Sequence, residues 1–464
     1  MNPESSKYRW IILGCSFINM GLSWGLLYSV GVLYKGWMTY FESPASYVSF
    51  AGALPVSIGC ISGPVYGFLA GKLGFRKIGI IGGFLMALGM IISSFADSVL
   101  TLCFSFGLVA GFGTGFLAFA SCGIINDYFL HDRLLAEGVI GGGLCLGTFG
   151  FSLLQQFLQN LYQWQGSLLL AGAVCFHGCL TSMFFIRGNE IANHPFNMWS
   201  KSENIQQKQM QDSFNDEQVK GNEKYEAQSG DMDTTNHTTS ERRRKQKGLG
   251  FLRRSFRLWQ NPMFMLLILS DIVSWLATFI PYVHIVDRGR LCNLDENTAA
   301  KLSSAIGLAG IVGRPLTGIL GNYLRIHPLW CYCAIQMTCG LATFLSSFWS
   351  DVYGLFAFAV IFGLSSNGYG MIKASVAVTL GKDHFVDALS WMLLEEGIGI
   401  ALGPMLAGLI YDVTGSYNWS FRFSGALLMF SALMCLLKPF IERCQQDTNQ
   451  QEVTYADENE NIVL

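Results

Sequence analysis

An arginine at position 314 interrupts the apolar run AIGLAGIVGRPLTGILG, Ala305 to Gly321. At mid-membrane such a cation costs about 2.5–3.5 kcal/mol on insertion scales, so it faces a polar cavity and works there. The alternative is an arginine near a helix end that snorkels to the headgroups. The chemistry open to a guanidinium in a cavity is capture of a carboxylate. Lys373 and the adjacent pair Glu395 and Glu396 also sit in apolar surroundings. Neighbouring residues differ by about 100° around a helix, so at most one of the two glutamates faces a cavity squarely. A pair between Lys373 and Glu395 or Glu396, with Arg314 nearby, would be titratable and nearly neutral; a fixed bridge that packs two helices together is the competing reading. Asp271 and His284 are softer candidates. His284 is placed to titrate near neutral pH, or is simply hydrogen-bonded in the bundle. Asn367 and Tyr369, in GLSSNGYG, are candidates for a cavity wall, although the glycines there also explain close helix contact. Arg133, Glu137 and Arg76 read as a gate or anchor at the membrane edge rather than as ligands. No HExxH, GxSxG, P-loop or clustered-histidine motif is present, so an enzyme is not expected.

The elements that must position these residues are membrane helices. Of 464 residues 51% are hydrophobic and 13% charged, far from a soluble balance. The formal net charge of −2 argues against a nucleic-acid partner; the bilayer is the expected one. A hydrocarbon core of about 30 Å needs about 20 apolar residues per helix. Segments of that length recur at 10–34, 46–70, 77–96, 99–125, 134–160, 165–186, 259–286, 298–321, 328–348, 352–379, 386–411 and 419–440, taken below as spans 1 to 12. The first run is too long for a cleaved signal peptide and lacks a convincing cleavage site.

The expected organisation is a cytoplasmic N-terminal tail at 1–9, a six-helix bundle at 10–187, a disordered cytoplasmic linker at 188–257, a second six-helix bundle at 258–441 and an acidic tail at 442–464. Basic residues flank the short loops on one side: Lys7 and Arg9, Lys72, Arg76 and Lys77, Arg133, Arg187, the ERRRKQK run from Glu241, Arg325, Lys382 and Arg443. That side is cytoplasmic, with both termini there. Arg288, Arg290 and Lys301 depart from the rule on the far side, accompanied by Asp287, Asp295 and Glu296. Most of the 13 cysteines lie in apolar runs without CxxC spacing and read as small buried hydrophobes, so no metal or redox cofactor is expected.

Spans 2 and 8 end alike, in GFLAGKLGFRK (Gly67 to Lys77) and GRPLTGILGNYLR (Gly313 to Arg325). Recurrence of a glycine-spaced helix end at matching places signals an internal repeat, as in transporters that rock two bundles around a central site. Four further stretches are YFLHDRLLAEGVIGGGLCLG (Tyr128 to Gly147), FIPYVHIVDRG (Phe279 to Gly289), GLAGIVGRPLTGIL (Gly307 to Leu320) and GPMLAGLIYDVTGSYNWSF (Gly403 to Phe421). With GLSWGLLYSVGVLYKGW in span 1, the chain resembles the monocarboxylate transporter family of the major facilitator superfamily as an atypical member. The resemblance implies an all-α membrane protein of twelve transmembrane helices in two pseudo-symmetric six-helix bundles. It also implies a plasma-membrane carrier of small organic anions, often with a co-transported proton, and leaves room for an accessory membrane subunit.

Proton-linked members of that family use a lysine in span 1, an aspartate in span 8 and an arginine four residues after it. Matched position by position, the arginine is Arg314, but Gly310 and Tyr28 stand where the aspartate and lysine would be. The expected counter-charge therefore comes from Glu395 or Glu396, or from the substrate. The acidic residue common in the turn after span 2 is Gly71, and Asn322 is its equivalent after span 8. The expected function is secondary transport of a small monocarboxylate-like anion by alternating access. Proton-independent carriage of an amino-acid-like or other non-lactate solute, or a non-transporting sensor on the same scaffold, are the alternatives. The expected substrate contacts are Arg314, Tyr28, Lys373, Glu395, Glu396 and Asn367.

Overall fold

The computed structural model describes residues 8–129, 133–186, 258–324, 327–366, 369–380 and 382–443. The expected linker at 188–257, and most of both tails, lie outside the described residues. Among the described residues the ordered backbone is helical throughout. Eight helices among the described residues are individually long and apolar enough to cross a membrane. A ninth span counts if Ala45–Ile61 and Gly63–Leu73, bent by 52° at Ser62, are taken together.

The remaining spans differ from the expected ones for local reasons. Spans 5 and 6 run on as one helical stretch, Arg133–Cys175, that reverses at Gln163 (φ 58°, ψ −174°). Ser167 Oγ then donates back to the Gln155 carbonyl at 3.5 Å, so the two arms lie side by side. Span 8 is the helix Glu296–Leu324, and span 10 is divided into Val352–Ser365 and Tyr369–Leu380. Span 7, Pro262–Leu291, begins where Asn261 Oδ1 accepts from the Met263 and Phe264 amides and proline occupies the first helical position. Span 1 is irregular near its middle: a π-type turn at Gly21–Gly25 and a 3-10 turn at Val30–Val32 interrupt it.

The two halves repeat one packing scheme. Span 1 rests on span 5, where a Cβ on Gly25 would come within 2.6 Å of Gly147 Cα; span 7 rests on span 11, where one on Gly403 would collide with the Leu276 carbonyl oxygen. Glycines also set spans 3 and 6 together at Gly83 and Cys179, and spans 9 and 12 together at Gly340 and Met429. Such approaches exist because no side chain intervenes, so backbone packs against backbone without a hydrophobic driving force between helices. Exposed Leu100, Phe104, Phe157, Phe348 and Phe440 cover the outer faces, as a lipid-facing surface requires.

The halves meet along spans 2 and 11 and along spans 5 and 8. Their contact is tightest at the end remote from the termini. There the Asp412 carboxylate, from span 11, accepts the Ala45 and Ser46 amides at 2.8 and 3.0 Å and so caps the first turn of span 2 in the other half. Tyr417 donates to Tyr34, which donates to the Ala45 carbonyl. Glu296 bridges Lys35 and Arg290, both at 2.7 Å. Arg288 does not sit outside as a solvated charge. It is buried over the Phe421 ring and donates to Ser346 Oγ and to the Ser346 and Trp349 carbonyls. At the opposite end the halves are looser among the described residues: Phe68 is exposed on the bent-away arm of span 2, and a Cβ at Gly71 or Gly138 would meet nothing within 4 Å.

Partial burial raises the Glu296 carboxyl, but the hydrogen bond from Lys35 and the charges of Arg290 and Lys35 outweigh it and hold it below the usual carboxylate range. A depressed carboxyl stabilises the closed end above its unfolded value and loses that contribution as pH falls through the depressed one. Because Lys35 and Glu296 are about half exposed, the pair is worth no more than about 1 kcal/mol. The Asp412 cap is worth about 0.5–2 kcal/mol. Asp412→Ala is therefore expected to speed amide hydrogen exchange at Ala45 to Val48, and more than Glu296→Gln does at neutral pH. Acidification should loosen the same peptide in the wild type and leave the Glu296→Gln protein without the extra acid-induced loosening. Unchanged exchange in Asp412→Ala would contradict the cap.

Candidate functional site

Span 8 turns one face toward the other half. Gly307 and Gly310 lie against span 5, where a Cβ would meet Phe149 N at 2.6 Å and Cys145 Sγ at 2.8 Å. Arg314 follows four residues after Gly310, on the same side of the helix. Its Cδ and Nη1 lie 3.5 Å from where a Cβ on Gly141 would stand, and the Cys145 thiol is within hydrogen-bonding reach of it. The arginine thus reaches from the C-terminal half across to span 5 of the N-terminal half. The room an aspartate would need at position 310 is taken by the Cys145 thiol.

Tyr28, also on the seam, is buried and packs edge-on against Tyr282 and Phe279 of span 7, with centroids 4.7 and 5.2 Å away. Close approach of spans 1 and 7 is set by Gly31, whose Cβ would lie 2.6 Å from the Val283 carbonyl oxygen. The Tyr282 hydroxyl is 3.0 Å from Ser366 Oγ. The charges of Arg314 and Glu396 both bear on Tyr28, and that of Arg314 also bears on Tyr282. Tyr28 therefore lies within electrostatic range of both the arginine and the second group of charges.

That second group lies in the C-terminal half. Lys373 Nζ meets Glu396 Oε2 at 3.1 Å, and both side chains are largely buried. Glu395 points a different way, toward Asp271 of span 7, as the turn between adjacent helical residues demands. Asp271 is fully buried. Around it Tyr332 and Ser431 are 2.8 Å apart, Ser431 donates to the Ser270 carbonyl at 2.8 Å, and Gln336 donates to Ser274, so spans 7, 9 and 12 are fixed by hydrogen bonds.

The other candidates fall apart from this constellation. Asn367 lies outside the described residues, as do the side chains of Arg133 and Tyr369. Glu137 is partly buried early in the helix that begins at Arg133, and Arg76 is exposed at the start of Phe75–Ser93. His284 takes the bundle role: its Nε2–H donates to the Pro404 carbonyl at 3.1 Å, and its ring sits between Tyr34 and Tyr417. The carbonyl can only accept, which fixes the tautomer. Sequence reasoning did not single out Tyr282, Phe279, Cys145, Gln336 or Tyr332. A polar or aromatic residue at a helical interval from a charge was the available signal, but it is common throughout these spans.

Removing one partner of a buried ion pair leaves an uncompensated charge, at about 3–5 kcal/mol, whereas apolar replacement of both partners is often neutral. Lys373→Met and Glu396→Met should each lower the melting temperature of the purified protein clearly, and the double variant should recover most of the loss. Additive losses would show that the two groups do not form one pair.

A Major Facilitator Superfamily family model matches residues 10–394. Human Monocarboxylate transporter 2 is 26% identical over 94% of this chain and 86% of its own length. Mouse Monocarboxylate transporter 9 is 27% identical over 93% of this chain and 92% of its own, and human Monocarboxylate transporter 14 is 26% identical over 95% and 92%. Among solved structures, a mutant of the peptide transporter POT in complex with sulfate superposes with a TM-score of 0.66. It is 14% identical and the match covers 93% of this chain and 95% of that one, a likeness of fold.

Proposed function

The chain belongs to the Major Facilitator Superfamily, with monocarboxylate transporters among its relatives, and on that premise we propose that it carries a small organic anion across the membrane by alternating access. One observation carries the reading: Arg314, borne by one half, reaches the other at Gly141 and Cys145, on the seam that must open and close. A carboxylate there would gain a bidentate partner in a site of low dielectric, where charge-assisted hydrogen bonds are strong. Tyr28, Tyr282 and Phe279 offer aromatic walls to the rest of the solute. The closed end beside Asp412 and the looser end beside Gly71 correspond to one of the two states that alternating access requires. Both termini are read as cytoplasmic on the strength of the basic residues that flank the loops on the terminal side, and the plasma membrane is the location that the resemblance to monocarboxylate transporters suggests.

The absence of an acid at Gly310 and a lysine at Tyr28 favours a second reading, a facilitative carrier of an amino-acid-like or other non-lactate solute. Proteoliposome uptake of labelled L-lactate, pyruvate, aromatic amino acids and creatine, with and without an inward proton gradient, separates the two. Stimulation by the gradient identifies symport, and indifference identifies facilitated diffusion. Lack of uptake across the panel would favour the non-transporting sensor. Arg314→Gln should abolish carboxylate uptake while the protein still elutes as a folded species. Undiminished uptake would remove Arg314 from the site.

A further inference from the structure

Asp271 and Glu395 are both more than nine-tenths buried, and their carboxyl groups face each other across spans 7 and 11. None of their four oxygens accepts a hydrogen bond from another described group. Two ionised carboxylates in that arrangement would repel in a low-dielectric interior, with only the charge of a lysine that already pairs with a third carboxylate to offset them, an arrangement that a bundle does not tolerate. The contact is attractive only when a proton lies between them, so that one carboxyl donates its O–H and the other accepts.

The surroundings enforce the same outcome. Lys373 of span 10 is the cation that bears on the pair, but it is already engaged by Glu396 at 3.1 Å. The other titratable groups that face the pair are neutral acids: Tyr332 from span 9, Cys435 from span 12 and Cys60 from span 2. Three carboxyl groups therefore surround one lysine, and a single bound proton halves the excess negative charge.

We propose that Asp271 and Glu395 form a proton-binding site that holds one proton between them, supplying within the C-terminal half the acid that is absent at Gly310. The balance is simple: a proton from the aqueous phase joins the dicarboxylate to give the shared acid, and leaves it as a proton when the site faces the other side. Span 11 ties this site to the ion pair through the adjacent residues Glu395 and Glu396, and Glu396 bears on Tyr28 at the seam. The consequence for transport rests on the carrier reading above: proton occupancy is coupled to the anion because both alter the charge of one poorly solvated region.

The proton can be read without any transport. Infrared difference spectra of the protein in liposomes should show the C=O stretch of a buried protonated carboxyl that shifts on exchange into D2O. Asp271→Asn and Glu395→Gln, which keep the side-chain shapes, should each move or remove that band, and the double variant should lack it. Persistence of the same band in the double variant, or its absence from the wild type between mildly acid and mildly alkaline pH, overturns the site. In the uptake assay, the stimulation ratio produced by an inward proton gradient should fall to unity in the folded double variant. A ratio equal to that of the wild type overturns the coupling. A wild type that transports none of the panel defeats the carrier reading and leaves the infrared result to decide the proton site.

Discussion

A charge inside an apolar bundle persists only with a partner, a proton or a solute beside it, and the interior of this protein is arranged around that constraint. Lys373 has Glu396, Arg288 has carbonyl oxygens and an aromatic face, and Asp271 has Glu395. Arg314 is placed differently, because it reaches from its own half to Gly141 and Cys145 of the other. When the halves move, the contact of Arg314 with Gly141 and Cys145 changes, whereas the pair of Lys373 with Glu396 and the contact of Asp271 with Glu395 are each made within one half. One cation thus crosses the seam, while the titratable group held within one half lies in electrostatic range of the same tyrosine, Tyr28.

The movement is itself prepared by the packing. Within each half, spans 1 and 5, 3 and 6, and their counterparts 7 and 11, 9 and 12, meet through glycines at backbone distance. Such contacts admit no side-chain rearrangement and hold each bundle rigid. Between the halves, glycines also bring backbones together, as at Gly31 with Val283 and Gly408 with Ser46, and the closed end adds replaceable polar contacts: a carboxylate cap, a tyrosine pair and a half-exposed ion-pair network. Each is worth about 1 kcal/mol or less to about 2 kcal/mol.

Much of this was legible in the residues, in uneven measure. The fold was, because hydropathy and the repeated glycine-rich ends of spans 2 and 8 are properties of the sequence that the bilayer imposes. The helix boundaries were less so: the reversal at Gln163 depends on a single backbone torsion that no periodicity reports. In the site, the sequence marked every buried charge but not the pairing. Adjacent glutamates must diverge, yet which one meets Lys373 and which one meets Asp271 is decided by the rotation of span 11 about its axis. Gly310 read as a missing acid; only the packing explains it as the place where span 8 passes within touching distance of Cys145.

The central claim is that the end now closed must open for solute to pass. Lys35 and Glu296 face each other there from opposite halves at 2.7 Å. The most direct measurement replaces both with cysteine, joins them with a short bifunctional thiosulfonate, and follows uptake of the solute carried by the uncrosslinked protein in proteoliposomes. Alternating access predicts that uptake falls to the protein-free background on cross-linking and returns on reduction. Uptake that continues unchanged through a cross-link verified by mass spectrometry would contradict it.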